Sequence, residues 1–222
     1  TYQFQKEATR HLLKLTGCVP EAVGRDLHPL FSTTKFADEL AQESGMRIVP
    51  VQHHYAHVAG LMAEHNVDEI VGICCDGYGY GDDGSAWGGE IIFAGQTGRK
   101  RVAHLEPHPM IGGDLAVKYP LRMVAGILRN RSEITDWLFE RQERFPHGEE
   151  EIDMILRQAG SGRSPLTTSC GRVLDAVSTI LGLCYERTYE GEPAMKLESA
   201  AFGGKDSLNI KPAITGQVIE TT

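Results

Sequence analysis

Two stretches of this chain carry residues that could do chemistry together: His53-His54-Tyr55-Ala56-His57, and Asp76-Gly77-Tyr78-Gly79-Tyr80-Gly81-Asp82-Asp83-Gly84. Imidazoles and a carboxylate around a glycine-rich segment are the parts of a metal-assisted phosphate or nucleotide site. On a helix, residues four apart share a face, so His53 and His57 can reach one ion, while His54 points away and is the weaker ligand candidate. Neutral imidazole suits zinc or iron, and two such ligands need a third or fourth, usually a carboxylate from elsewhere in the fold. Asp76, at the end of a strand and beside glycines, is placed to be that ligand or to orient a bound water. Gly77, Gly79 and Gly81 permit positive φ and let backbone N–H groups approach an anion closely. A blander account stands beside each motif: histidines that cap a helix, and a long hairpin turn for which Asp82-Asp83-Gly84 would serve.

The elements that must position these residues follow from periodicity. Met46 to Gln52 reads as an apolar strand, and His53 to His65 as a helix whose first turn carries the histidines. Glu69 to Asp76 reads as a buried strand ending in the carboxylate. Upstream, Phe4 to Leu15 has helical amphipathicity and Glu21 to Asp26 a short strand; Ser32 to Ser44 forms a helix capped by Ser32 or Thr33 and closed by Gly45. Strands at Glu69 to Asp76, Ala86 to Gly95 and Arg99 to Leu105 follow one another through tight turns as an antiparallel meander. Helices are expected at Leu115 to Arg129, Ser132 to Phe139, Glu149 to Gln158, Ser169 to Leu183 and Glu192 to Ala201.

With these motifs in hand, the chain resembles the carboxy-terminal catalytic domain of the HypF family of hydrogenase maturation proteins. The resemblance rests on Asp26-Leu27-His28-Pro29, Gln52 through His57, Asp76 through Glu90, Gly112-Gly113-Asp114 with Arg122-Met123, Gly171 through Val177, and Tyr189-Glu190-Gly191-Glu192. Several separated motifs in order, over most of the chain, are far more specific than any one of them. Tyr119 and Leu121 depart from the family's usual Glu and Trp.

The resemblance implies an α/β, actin-like or ribonuclease-H-like fold of the ASKHA superfamily, here as an incomplete two-lobed domain. Residues 1–67 would be the remainder of the first lobe, 68–202 a second lobe with the Asp-Gly turn and a helical insertion, and 203–222 a polar tail. It implies a carbamoyltransferase: carbamoyladenylate, made from carbamoyl phosphate and ATP in another domain, gives its carbamoyl group to the C-terminal cysteine of the partner HypE, and AMP leaves. That group becomes the cyanide ligands of the nickel–iron hydrogenase centre. His53, His57 and Asp76 would bind a divalent metal, zinc or iron, and serve catalysis; magnesium belongs to the full-length protein. Gly77, Gly79, Gly171 and Asp175 would face the nucleotide, and Glu190 and Gly191 would contact substrate. The other domains of a full-length HypF are further partners. Thr1 in place of an initiator methionine, and the missing later family segments, read as an excised fragment. Alternatives of the same fold are an O-carbamoyltransferase and the tRNA threonylcarbamoyl transferase; a third reading is a non-catalytic module that docks HypE.

Bulk properties agree. A chain of 222 residues can bury a sizeable core. Its net charge of −8 argues against nucleic acid as the main partner, since phosphate backbones need a basic face. Five cysteines without CxxC spacing indicate neither a zinc ribbon nor a disulfide framework, and fit a reducing cytoplasm. No apolar run is long enough to span a bilayer. Cys74 and Cys75 lie in an apolar strand, Cys18 in a turn, and Cys170 and Cys184 flank an apolar helix; most read as inert buried thiols, none as the nucleophile. His104 and His108 read as surface residues and Glu149-Glu150-Glu151 as a solvated helix start. Arg122 reads equally as a phosphate contact or as the partner of an acidic residue.

Overall fold

The computed structural model describes residues 2–95, 98–206, 208 and 210–222; Thr1, Gln96, Thr97, and Ser207 and Asn209 of the expected tail lie outside the described residues. The chain opens with α1 (Tyr2–Thr16), β1 (Ala22–Asp26), α2 (Ser32–Ser44), β2 (Arg47–Val51) and α3 (His53–His65). β1 and β2 pair in parallel across α2, a connection that needs a helix because parallel strands cannot be joined by a tight turn. Gly45 closes α2 at φ 69, as expected, but its N-cap is Phe31 and neither Ser32 nor Thr33 caps it.

The second sheet starts with the meander β3 (Glu69–Tyr80), β4 (Ala86–Gly95) and β5 (Gly98–Leu105). β3 runs past Asp76 to Tyr80, and its register with β4 breaks between Cys75 and Gly79. The glycine-rich segment is therefore a bulged strand, and the hairpin turn sits at Gly81–Ser85, closed by Gly84 at φ 77. Gly77, Gly79 and Gly81 are not at positive φ, contrary to the sequence expectation. Two of them are needed for space instead: a Cβ on Gly79 would stand 2.4 Å from His54 Cε1, and one on Gly81 2.2 Å from Trp87 Nε1. Among the described residues β3 pairs with β4 alone, and its outward side chains Val71 and Ile73 are 60% and 75% exposed.

Short strands β6 (His108–Pro109), β7 (Leu166–Thr167), β8 (Ile214–Thr215) and β9 (Val218–Ile219) complete the sheet in the order β6-β7-β4-β5-β9-β8. β9 pairs with β5 through His104 and Leu105, so the stretch expected as a polar tail ends against the sheet. The helices are α4 (Leu115–Lys118), α5 (Leu121–Ile127), α6 (Ile134–Phe139), α7 (Gly148–Ser161), α8 (Cys170–Ile180) and α9 (Glu192–Ala201). The single helix expected over Leu115 to Arg129 is broken at Tyr119-Pro120: proline pushes the preceding residue out of the helical region, and Tyr119 sits at φ −118, ψ 87.

The larger core gathers around α5, whose seven residues are all buried, with Ile111, Leu138, Ile152 and Ile155. Within it Arg122 pairs with Glu151 at 2.5 Å, with side chains 4% and 1% exposed. Arg122 is thus an internal ion partner and no phosphate contact, and Glu151 is not the solvated residue its acidic neighbours suggested. Burying two charges is tolerated only as a pair: Glu151 also accepts the His147 N–H at 3.1 Å. His108, expected on the surface, is 1% exposed, with Nε2 2.6 Å from Thr221 Oγ1. His104 is half-buried, bonded at 2.8 Å to the Leu105 carbonyl.

Candidate active site

α3 begins abruptly because Gln52 caps it, its side chain accepting the Tyr55 N–H at 2.8 Å. This fixes the first turn, and with it His53 and His57 on one face, opposite the bulge of β3 that turns Asp76 outward. His53 Nε2 lies 3.1 Å from Asp76 Oδ2 and 3.3 Å from His57 Nε2. One ligand atom from each of His53, His57 and Asp76 falls within 4.8 Å of the others. The three residues that the sequence reading grouped are thus brought together in the fold.

Asp26, quoted in the sequence only as part of a motif, completes the arrangement. Its Oδ2 lies 3.0 Å from His53 Nδ1. A proton on Nδ1 donated to this carboxylate leaves the Nε2 lone pair aimed at Asp76 and His57, which is how a metal-ligating histidine is oriented. Asp26 is held at the end of β1, opposite Val51 of β2, and its Oδ1 accepts the His28 N–H at 2.8 Å. No local sequence signal marks this role, because the two residues meet only through the parallel pairing of β1 and β2.

His54 is 1% exposed and stacks on Trp87. Its Nδ1 lies 3.3 Å from Gln52 Nε2 and its Nε2 3.5 Å from Asp76 Oδ2, too long for a good hydrogen bond. Burial holds its imidazole below the ordinary histidine range, so it faces the cluster as a neutral ring.

Asp76 also lines a cavity of about 1350 Å³ that runs from His28 and Phe31 to Arg172 and Glu190. Gly77, Gly171, Asp175, Glu190 and Gly191 line the same cavity, so these five sequence candidates converge. Gly79 does not: its backbone packs against the His53 and His54 rings. The wall between β3 and α8 is tight. Ser169 Oγ, the cap of α8, lies 2.9 Å from the carbonyl oxygens of both Asp76 and Gly77, and a Cβ on Gly171 would stand 2.9 Å from Gly77 Cα.

The cavity's cations were not among the sequence candidates. Arg172, Lys118 and Arg187 all line it. Arg172 is 6% exposed and lies 2.8 Å from Asp175 Oδ2, an ion pair without hydrogen-bond alignment. Burial raises the Asp175 carboxyl above the usual range against the pull of Arg172, and burial lowers Arg172 in turn. On the opposite side His28 stacks on Phe31 at 3.9 Å, with Tyr78 edge-on, giving a flat aromatic wall. The cysteines differ from expectation: Cys184 is buried and Cys74 and Cys170 partly so, but Cys18 and Cys75 are exposed. Burial pushes Cys74 and Cys170 up to about 11.

A family model described as "Carbamoyltransferase, Kae1-like Domain, second subdomain" matches residues 72–222, and one described as "HypF Kae1-like domain" matches residues 1–64. The "Probable carbamoyltransferase HypF" of Methanocaldococcus jannaschii is 41% identical over 225 residues, covering 100% of this chain and 29% of its own length. "Carbamoyltransferase HypF2" of Cupriavidus necator is 41% identical over 198 residues, 88% of this chain and 24% of its own. Among solved structures, that of T. kodakarensis HypF superposes with TM-score 0.87 at 39% identity, over 99% of this chain and 30% of that one. A full-length HypF in phosphate- and nucleotide-bound form gives TM-score 0.87 at 32% identity, over 99% and 34%. The chain thus spans about a third or less of the relatives it matches. The expected α/β fold of actin-like, ASKHA type stands, and the chain belongs to the HypF family, in the region of its Kae1-like domain.

Proposed function

We propose that this chain carries the carbamoyl-transfer site of a HypF carbamoyltransferase, acting on carbamoyladenylate and passing the carbamoyl group to the C-terminal cysteine thiol of HypE. The observation that carries the reading is the convergence of His53, His57 and Asp76 within 4.8 Å, with Asp76 also lining the 1350 Å³ cavity. That volume exceeds the roughly 300–1,000 Å³ of an ordinary small-molecule site, leaving room for a nucleotide and the tail of a protein partner together.

The donor set of two imidazoles and a carboxylate, with Asp26 behind His53, fits zinc or iron. Such an ion, when bound, supplies a Lewis acid for the carbamoyl or phosphate oxygen. The chain's own groups do the rest. Arg172, Arg187 and Lys118 offer positive charge to the phosphate, whose negative charge grows as AMP departs. Glu190 and the half-enclosed backbone of Gly77, Gly171 and Gly191 position the acyl group, and the His28–Phe31 pair offers a face for a planar ring. In the transfer the thiolate sulfur attacks the carbamoyl carbon, a C–S bond forms, the C–O bond to phosphate breaks, and AMP leaves with the electron pair.

The test starts with metal content by plasma mass spectrometry on the untagged chain and on His57→Ala. Near-stoichiometric zinc or iron, lost in the variant, supports the site. Carbamoyladenylate and HypE are then supplied to the metal-loaded chain, and again to a longer chain that includes the remaining family segments. Carbamoylated HypE with matching AMP release is expected; capture of HypE with no AMP release from either would replace the transferase by a docking module.

A further inference from the structure

Cys75 and Cys170 lie far apart in sequence but face one another across the seam between β3 and the first turn of α8. Both line the cavity. The residues on either side of Cys170 touch those following Cys75: Ser169 Oγ is 2.9 Å from the Asp76 and Gly77 carbonyl oxygens, and a Cβ on Gly171 would be 3.3 Å from Asp76 O. The backbones are thus in van der Waals contact, the close approach a disulfide demands. The Cys75 side chain adds to the burial that raises the Cys170 thiol. Cys75 is exposed and Cys170 half-buried beside it, an accessible thiol with a second sulfur next to it. Cys74, the chain neighbour, packs against the Val58, Ile92, Ala94 cluster and does not compete.

We propose that Cys75 and Cys170 are a redox modification site, joined by a reversible intrachain disulfide under a peroxide oxidant. An oxygen of hydrogen peroxide bonds to the Cys75 sulfur, the O–O bond breaks, and the thiol proton leaves in the first water. The Cys170 sulfur then attacks the sulfenic sulfur; the S–S bond forms, the S–O bond breaks, and the departing oxygen takes the Cys170 proton as the second water. Two electrons pass from two thiols to one peroxide. A small dithiol reverses the link by exchange. The bond would pin β3 to α8 immediately beside Asp76 and Arg172, fixing the width of the cavity there.

The test is peroxide treatment of the purified chain at one equivalent, followed by alkylation with N-ethylmaleimide and peptide mapping by mass spectrometry without reduction. A Cys75–Cys170 cross-linked peptide is expected, abolished by dithiothreitol and absent in Cys75→Ser and Cys170→Ser, with two fewer alkylated thiols in the oxidised wild type. Alkylation of both residues after peroxide, a cross-link to another cysteine, or Cys75 recovered only as sulfinic acid would each overturn it. The wild-type map is decisive whether or not the serine variants fold, and Cys170→Ala gives a second, smaller replacement.

Discussion

His53 stands between two carboxylates, Asp26 beside Nδ1 and Asp76 beside Nε2, and this makes the two carboxylates separable by experiment. Asp26→Asn keeps the shape but removes the charge that fixes the ring's tautomer. Metal affinity should fall about 10–100-fold, read by competition with a chromophoric chelator, with the fold intact by circular dichroism. Gly79→Ala tests the bulge from the other side. Its Cβ must displace the His54 ring, 2.4 Å away, and the His53 ring, 2.8 Å away. Bound metal should drop and stability fall by about 1–3 kcal/mol, measured by plasma mass spectrometry and urea denaturation on the same samples. The histidine pair was legible because spacing is local; Asp76 was read as a strand end, but β3 runs on to Tyr80 and Asp76 stands in its bulge. Asp26 and Arg172 were not assigned roles, because one acts across a parallel strand pair and the other through burial, neither of which leaves a local pattern. Glu151 misled for the opposite reason: its acidic neighbours describe a solvated face, while its partner Arg122 lies 29 residues away in sequence.

At the scale of elements, the Ser169 hydroxyl links the first turn of α8 to the sheet. Ser169 Oγ accepts the Arg172 N–H at 3.2 Å and reaches two carbonyls of β3. Ser169→Ala removes a cap worth about 1 kcal/mol and the link between α8 and the bulge. The expected loss is about 1–2 kcal/mol, seen as a lower melting temperature, with a larger loss of nucleotide binding than of metal. The strands and most helices followed from periodicity, since each buries one face or stripe. The break at Pro120 was legible in principle, but the apolar run through it favoured one long helix; the proline decided the backbone, and burial of all seven residues of α5 explains why the run continues. The missing cap at Ser32 shows the reverse, a side chain of suitable type that the chain does not use.

For the molecule as a whole, His108 couples stability to pH. It is buried and bonded to Thr221, and burial lowers its affinity for protons against the weaker pull of Glu106. A base whose folded pKa lies below the unfolded value contributes no penalty above that value, near 6.5, and costs stability as pH falls through it. The melting temperature in chelator should therefore decline between pH 7.5 and 5.5, and His108→Gln should flatten that slope. Chelator keeps any ion bound in the preparation from contributing to the slope. Among the described residues no helix is long and apolar enough to cross a membrane. The outer border of β3 has a different consequence. A strand of twelve residues that pairs, among the described residues, with β4 alone, and with Val71 and Ile73 facing water, is a template for another strand to add to. At rising concentration, copies of this chain should nucleate β-rich assemblies through that border, visible as light scattering and thioflavin fluorescence. Val71→Lys should delay their onset without touching the His53, His57 and Asp76 cluster.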